Sequence, residues 1–154
     1  MIAVQAPPAE VAPAPSLPLR AQYGWGYAGP DGEGVGTLNL LMEASRGRLV
    51  LELFAPGERL ALLEGDAASG YRLQIPRQKV DRRMATLEQL PLPFLPRFSR
   101  VEELIRLLRT GDFPGATVTR RDADGPVKLH WRGRDPKGRE EQVWLDRKRW
   151  AEGP

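Results

Sequence analysis

The chain has no cysteine and a single histidine among its 154 residues. The first absence excludes disulfides, thiolate metal sites and a cysteine nucleophile. The two together leave too few ligands for a zinc site. No window of about 18 apolar residues exists, so no membrane-spanning helix is expected. A charge of one sign is also scarce: 23 Lys and Arg stand against 20 Asp and Glu. The two signs are interspersed along the whole length, whereas an electrostatic nucleic-acid footprint needs a concentrated patch. The opening residues MIAVQAPPAE contain no charged segment followed by a long apolar one, and do not read as a signal peptide.

What is present is enough for one folded domain. Hydrophobic residues make up 41% of the chain, which supplies a core and argues against wholesale disorder. Residues 1–18 are rich in alanine and proline, the composition of a semi-extended linker, and the folded domain is expected over residues 19–154. From Leu19 the pattern has period two. Tyr23, Trp25 and Tyr27 fall on one side of a strand, and Leu38, Leu40 and Met42 on one side of the next. Leu49, Leu51 and Leu53 repeat the pattern, then Leu60 and Leu62 after the turn APGE, then Tyr71, Leu73 and Ile75 after GDAASG. Pro76 ends that run, because proline cannot donate to a strand ladder. QKVDRR reads as one more short strand. About eight short strands separated by turns predict an antiparallel meander.

The texture changes at LEQLPLPFLPRF, where Pro91, Pro93 and Pro96 rule out a regular helix or an interior strand. The one clear helix is SRVEELIRLLRTG. Ser99 and Glu102 have capping-box spacing, Val101, Leu104, Ile105 and Leu108 share a face, and Gly111 is the stop. The remainder returns to strands, with Val127, Leu129 and Trp131 on one face, Lys128, His130 and Arg132 on the other, and RDPKGR as a hairpin turn.

Catalytic signatures are missing. His130 has no serine in a suitable context to partner it and reads as a surface residue. GWGYAG matches a dinucleotide fingerprint in letters only, since a turn follows it where that fingerprint opens a helix. DADGP lacks the later ligands of a calcium loop. Arginines and aromatics interleave in KLHWRGRDPKGR, but Trp131 shares its side with Val127 and Leu129 and is expected inside, which argues against a stacking surface for nucleic acid. The chain is therefore expected to be no enzyme, to need no cofactor and to bind no nucleic acid.

The leucines need a cover. An open sheet with one apolar face and one short helix would leave more dry surface than a soluble protein tolerates. Either the sheet closes around an ordinary core, or it curls into a half-barrel with the helix as a lid over an apolar cavity. Periodicity leaves both open. The run GTLNLLMEASRGRLVLELFAPGERLALLEGDAASGYRLQIP, the segment LPLPFLPRFSRVEELIRLLRTGDFPG and the hairpin VKLHWRGRDPKGREEQVWLD together resemble, in element order, the LolA/LolB-like family of outer-membrane lipoprotein carriers and receptors, the LolB-like branch most closely.

The resemblance implies a mainly β, α+β fold: an unclosed antiparallel β-barrel, or curved sheet, with a short helical lid. It implies non-enzymatic binding of the acyl chains of lipoproteins, or of another lipid, for lipoprotein localisation. It also implies a periplasmic monomer, tethered to the outer membrane through a lipidated cysteine upstream of Met1, whose partners include a carrier protein and the membrane surface. On this reading the cavity wall is Leu38, Leu40, Met42, Leu49, Leu51, Leu53, Leu60, Leu62, Tyr71, Leu73, Leu129 and Trp131. The lid is Leu92, Phe94, Leu95, Leu104 and Leu108. Two departures stand against the pattern. The turn at Pro56, Gly57 and Glu58 carries no large apolar tip, and the family has further strands beyond the position of Asp146. The rival expectation is a solid-core structural domain of the cell envelope with a protein partner. A basic β-sheet that binds nucleic acid is the third.

Overall fold

The structure, a computed structural model, describes residues 17–30, 32–89, 98, 100–135 and 137–153. Alternation becomes strand wherever it was legible. Strands β1 (Leu19–Gly29), β2 (Gly32–Glu43), β3 (Arg48–Ala55), β4 (Glu58–Asp66), β5 (Gly70–Ile75) and β6 (Val80–Met84) run as a meander. Helix α1 (Val101–Thr110) follows, then β7 (Ala116–Asp122), β8 (Gly125–Arg134) and β9 (Glu140–Glu152). β9 returns to pair with β1, so the described residues form one nine-stranded antiparallel sheet in the order β6-β5-β4-β3-β2-β1-β9-β8-β7.

The two edge strands, β6 and β7, do not pair with each other, and the sheet stays unclosed. They are consecutive in sequence, so the chain between them has to cross from one edge to the other. α1 lies on that crossing, against β8 and β2. The inward residues of β1, β2, β3, β5, β8 and β9 are buried in one continuous cluster with those of α1. A single ten-residue helix is about 15 Å long and cannot roof nine strands spaced about 4.8 Å apart. The two halves of the sheet therefore curl toward each other over a shared core, the mainly β architecture expected.

β4 departs from expectation. Leu53 pairs with Ala61 and Phe54 with Arg59, so Leu60 is the extra residue of a bulge. Leu63 lies opposite Leu51 and Leu73, while Leu62 lies opposite Glu52 and Gln74. Ala61 and Leu63 are thus the inward residues, and Leu62 belongs to the outer face. Leu60 is half-buried and packs at the margin of the core. The sequence Leu60-Ala61-Leu62-Leu63 is apolar at both parities, which is why alternation misassigned it.

The helix start also shifts. The N-cap position is Arg100, in extended conformation and without a side-chain cap bond. The Ser99–Glu102 box is therefore out of register by one residue, and Ser99 lies outside the described residues. Glu102 and Glu103 occupy the first turn instead, where they suit the positive end of the helix. Gly111 ends the helix at φ 78°, as expected, and its N–H donates to Leu107 O.

Candidate functional site

The expected wall assembles. Leu38, Leu40 and Met42 of β2 and Leu49, Leu51 and Leu53 of β3 line up across the sheet, in the pairs Leu38–Leu53, Leu40–Leu51 and Met42–Leu49. Tyr71 and Leu73 of β5 and Leu129 and Trp131 of β8 join them, and Leu104 and Leu108 of α1 close over the wall. Leu92, Phe94 and Leu95, the rest of the expected lid, lie outside the described residues. Sequence reasoning missed Ala61, Leu63, Leu87, Phe98 and Leu107, and also Ala21, Met84, Val143 and Leu145, all of which belong to the same cluster. Of these, Leu107 was detectable, because it stands three residues after Leu104 on the buried helix face.

The wall is dry. The six residues of β2 and β3 are each 4% exposed or less, so their faces are covered by each other and by α1. Two indoles pin the ends. Trp25 Nε1 donates to Phe54 O at 3.0 Å, and Trp131 Nε1 donates to Pro114 O at 3.0 Å. At the rim Tyr27 donates to the buried Glu141 carboxylate, 3.1 Å away. Arg147 turns its side chain inward, donates to Pro126 O at 3.2 Å and pairs with Asp122. This holds the Asp122 carboxyl below the usual carboxylate range.

Among the described residues, one buried side-chain polar atom of the core has no partner. The Tyr23 hydroxyl is fully buried and makes no hydrogen bond among the described residues. Burial pushes its pKa well above the ordinary tyrosine value, against the pull of Arg147.

An open cleft of about 740 Å³ adjoins the wall at one end. Its sides are the 3-10 turn Ala44–Arg46, the β4–β5 loop at Asp66–Ala68, the stretch Ala85–Leu87 and the start of α1. Tyr71, Leu87 and Val101 form its floor and belong equally to the core, so the cleft leads directly onto the wall. Arg46, Asp66, Arg100 and Glu102 stand around it. Tyr71 donates its hydroxyl to Gly47 O, and its own pKa is raised by burial and by the Asp66 carboxylate. Of the residues expected to line a cavity, Tyr71 is the one that does so here. The alanines at positions 44, 67, 68 and 85 carry no apolar period, so no sequence signal marked the cleft.

Among the described residues no three His, Asp or Glu side chains are grouped to hold a metal, and no helix is long and apolar enough to cross a membrane. No protein-family model and no curated protein matches the chain.

Proposed function

We propose that the protein is a non-enzymatic carrier or receptor that takes the acyl part of a lipidated partner between α1 and the leucine wall, entering through the cleft floored by Tyr71, Leu87 and Val101. The observation that carries this reading is the scarcity of separate cover. An unclosed nine-stranded sheet with one short helix buries its apolar face partly against itself and partly against that helix, and an open cleft adjoins the buried face.

The magnitudes allow it. Burying a long acyl chain is worth about 0.8 kcal/mol per CH₂, on the order of 10 kcal/mol in total. Withdrawing Leu104, Leu107 and Leu108 from the wall costs about 1.5–3 kcal/mol each. The chain therefore outweighs the three leucines it displaces, by a margin of a few kcal/mol that suits reversible carriage. The cleft volume lies in the range of ligand sites, roughly 300–1,000 Å³. The resemblance to lipoprotein carriers and receptors favours a periplasmic setting, with lipoproteins, a carrier protein and the outer-membrane surface as partners.

A second reading has its own observation. Exposure of 4% or less on β2 and β3 is what a solid-core structural domain of the cell envelope would show. Native mass spectrometry of the full-length protein purified from a membrane-bearing host separates the two. The carrier reading expects protein ions with an added acyl-lipid mass that is lost on collisional activation. Bare protein in every preparation, together with no uptake of added acyl lipid, would overturn it in favour of the solid core.

A further inference from the structure

The outer face of the sheet carries a feature independent of the acyl site. β8 presents Lys128, His130, Arg132 and Arg134 at four successive outward positions. Alternate residues of a strand are about 7 Å apart, so this is a basic ridge roughly 20 Å long. Arg120 of β7 stands opposite Lys128 and extends it. Lys128, Arg120 and Arg132 have no ion pair among the described residues. Of the acids on β9, Asp146 stands opposite Lys128 and is paired with Lys148 at 2.8 Å, Glu140 stands opposite Arg134, Glu141 is buried, and Glu152 pairs with Arg109.

Beside the ridge stands Trp144, 42% exposed. One face of its ring is stacked on His130, with centroids 5.1 Å apart and planes 9° from parallel. His130 is itself fixed, donating Nε2–H to Gln142 Oε1 at 2.8 Å. On its other side the neighbour in register is Gly26, and beyond Gly26 is Val35, 67% exposed. A Cβ on Gly26 would lie 3.5 Å from Trp144 and 4.0 Å from Val35. The missing side chain thus leaves a narrow slot walled by an indole, suited to a thin planar ring. The burial of Trp131 spoke against nucleic acid, and that burial holds. The exposed aromatic is Trp144, on the opposite face and next to the cations.

We infer that this face binds single-stranded nucleic acid, with phosphates along Lys128, Arg132 and Arg134 and a base inserted between Trp144 and Val35 over Gly26. Charge complementarity selects a polyanion, and the slot selects one that carries flat rings.

The test is fluorescence anisotropy of the full chain with a labelled oligothymidylate of about ten nucleotides, from about 50 to 200 mM salt. Three neutralised phosphates predict a log–log salt slope of about −2. Trp144→Ala is expected to weaken binding by about fivefold to a hundredfold, and Trp144→Phe much less. Gly26→Val suits a strand and fills the slot while leaving the indole in place, so it should weaken binding without lowering the urea midpoint. Absence of binding at the lowest salt overturns the inference. So does binding that Trp144→Ala and Gly26→Val leave intact, or that heparin, a polyanion without bases, matches: the face would then be a plain cationic surface.

Discussion

At the scale of single residues, two atoms test the packing most sharply. The Tyr23 hydroxyl sits in the core without a hydrogen-bond partner among the described residues. Because a buried polar group without a partner destabilises, Tyr23→Phe is expected to raise stability by about 1 kcal/mol in urea denaturation near neutral pH. A loss of stability would mean that the hydroxyl has a partner after all. The same residue sets an alkaline limit. Its pKa is raised in the folded state, so the stability gained by keeping it protonated is complete below the unfolded value of about 10. That stability declines as pH rises above this point. The wild type should therefore lose stability above about pH 10 faster than Tyr23→Phe does. Gly36 makes the second case. A Cβ there would stand 1.8 Å from Phe54 O and 2.8 Å from Trp25 Nε1, the two atoms that hydrogen-bond to each other. Gly36→Ala should cost on the order of 3 kcal/mol, with a shift in tryptophan fluorescence as the indole loses its acceptor. An unchanged urea midpoint would contradict the close approach.

At the scale of elements, the helix is the piece on which structure and proposal both turn. Leu104 is fully buried against the sheet, and Leu104→Ala is expected to destabilise by about 2–5 kcal/mol. If the acyl chain enters by displacing α1, the same substitution lowers the cost of displacement and tightens acyl-lipid binding. A solid core predicts the destabilisation without the tightening, so one variant read in two assays divides the readings. This element was legible because Val101, Leu104 and Leu108 repeat at helical spacing between a polar start and a glycine stop. So were β2 and β3, where leucine faces in and Thr37, Asn39 or Glu52 faces out. β4 was not, since its apolar residues fall at both parities and the bulge at Leu60 changes phase between Arg59 and Ala61. The outward turn of Trp144 follows from the alternation of Val143 and Leu145, which are inward. Its partnership with His130 and Gly26 needed the strand order, which no local pattern carries.

At the scale of the molecule, the order of strands explains both the cover and the openness. β9 pairs with β1 and leaves β6 and β7 as edges on opposite sides of the sheet. The edges carry charge, with Asp81, Arg82 and Arg83 exposed on β6 and Arg120 and Arg121 on β7, a device that discourages pairing with other chains. That the leucines needed a cover was readable from the count of strands against one helix. That the cover is so close, with the wall dry and the open volume displaced to one end, depends on how far the sheet curls, and curl is set by twist and bulges summed over nine strands. The most direct measurement of the central claim is methyl NMR of leucine-labelled full chain titrated with an acylated probe. The account predicts saturable shifts at Leu38, Leu40 and Leu51 together with Leu104 and Leu108, as an acyl chain parts the helix from the wall. Shifts confined to surface leucines, or none up to the solubility of the probe, would contradict it.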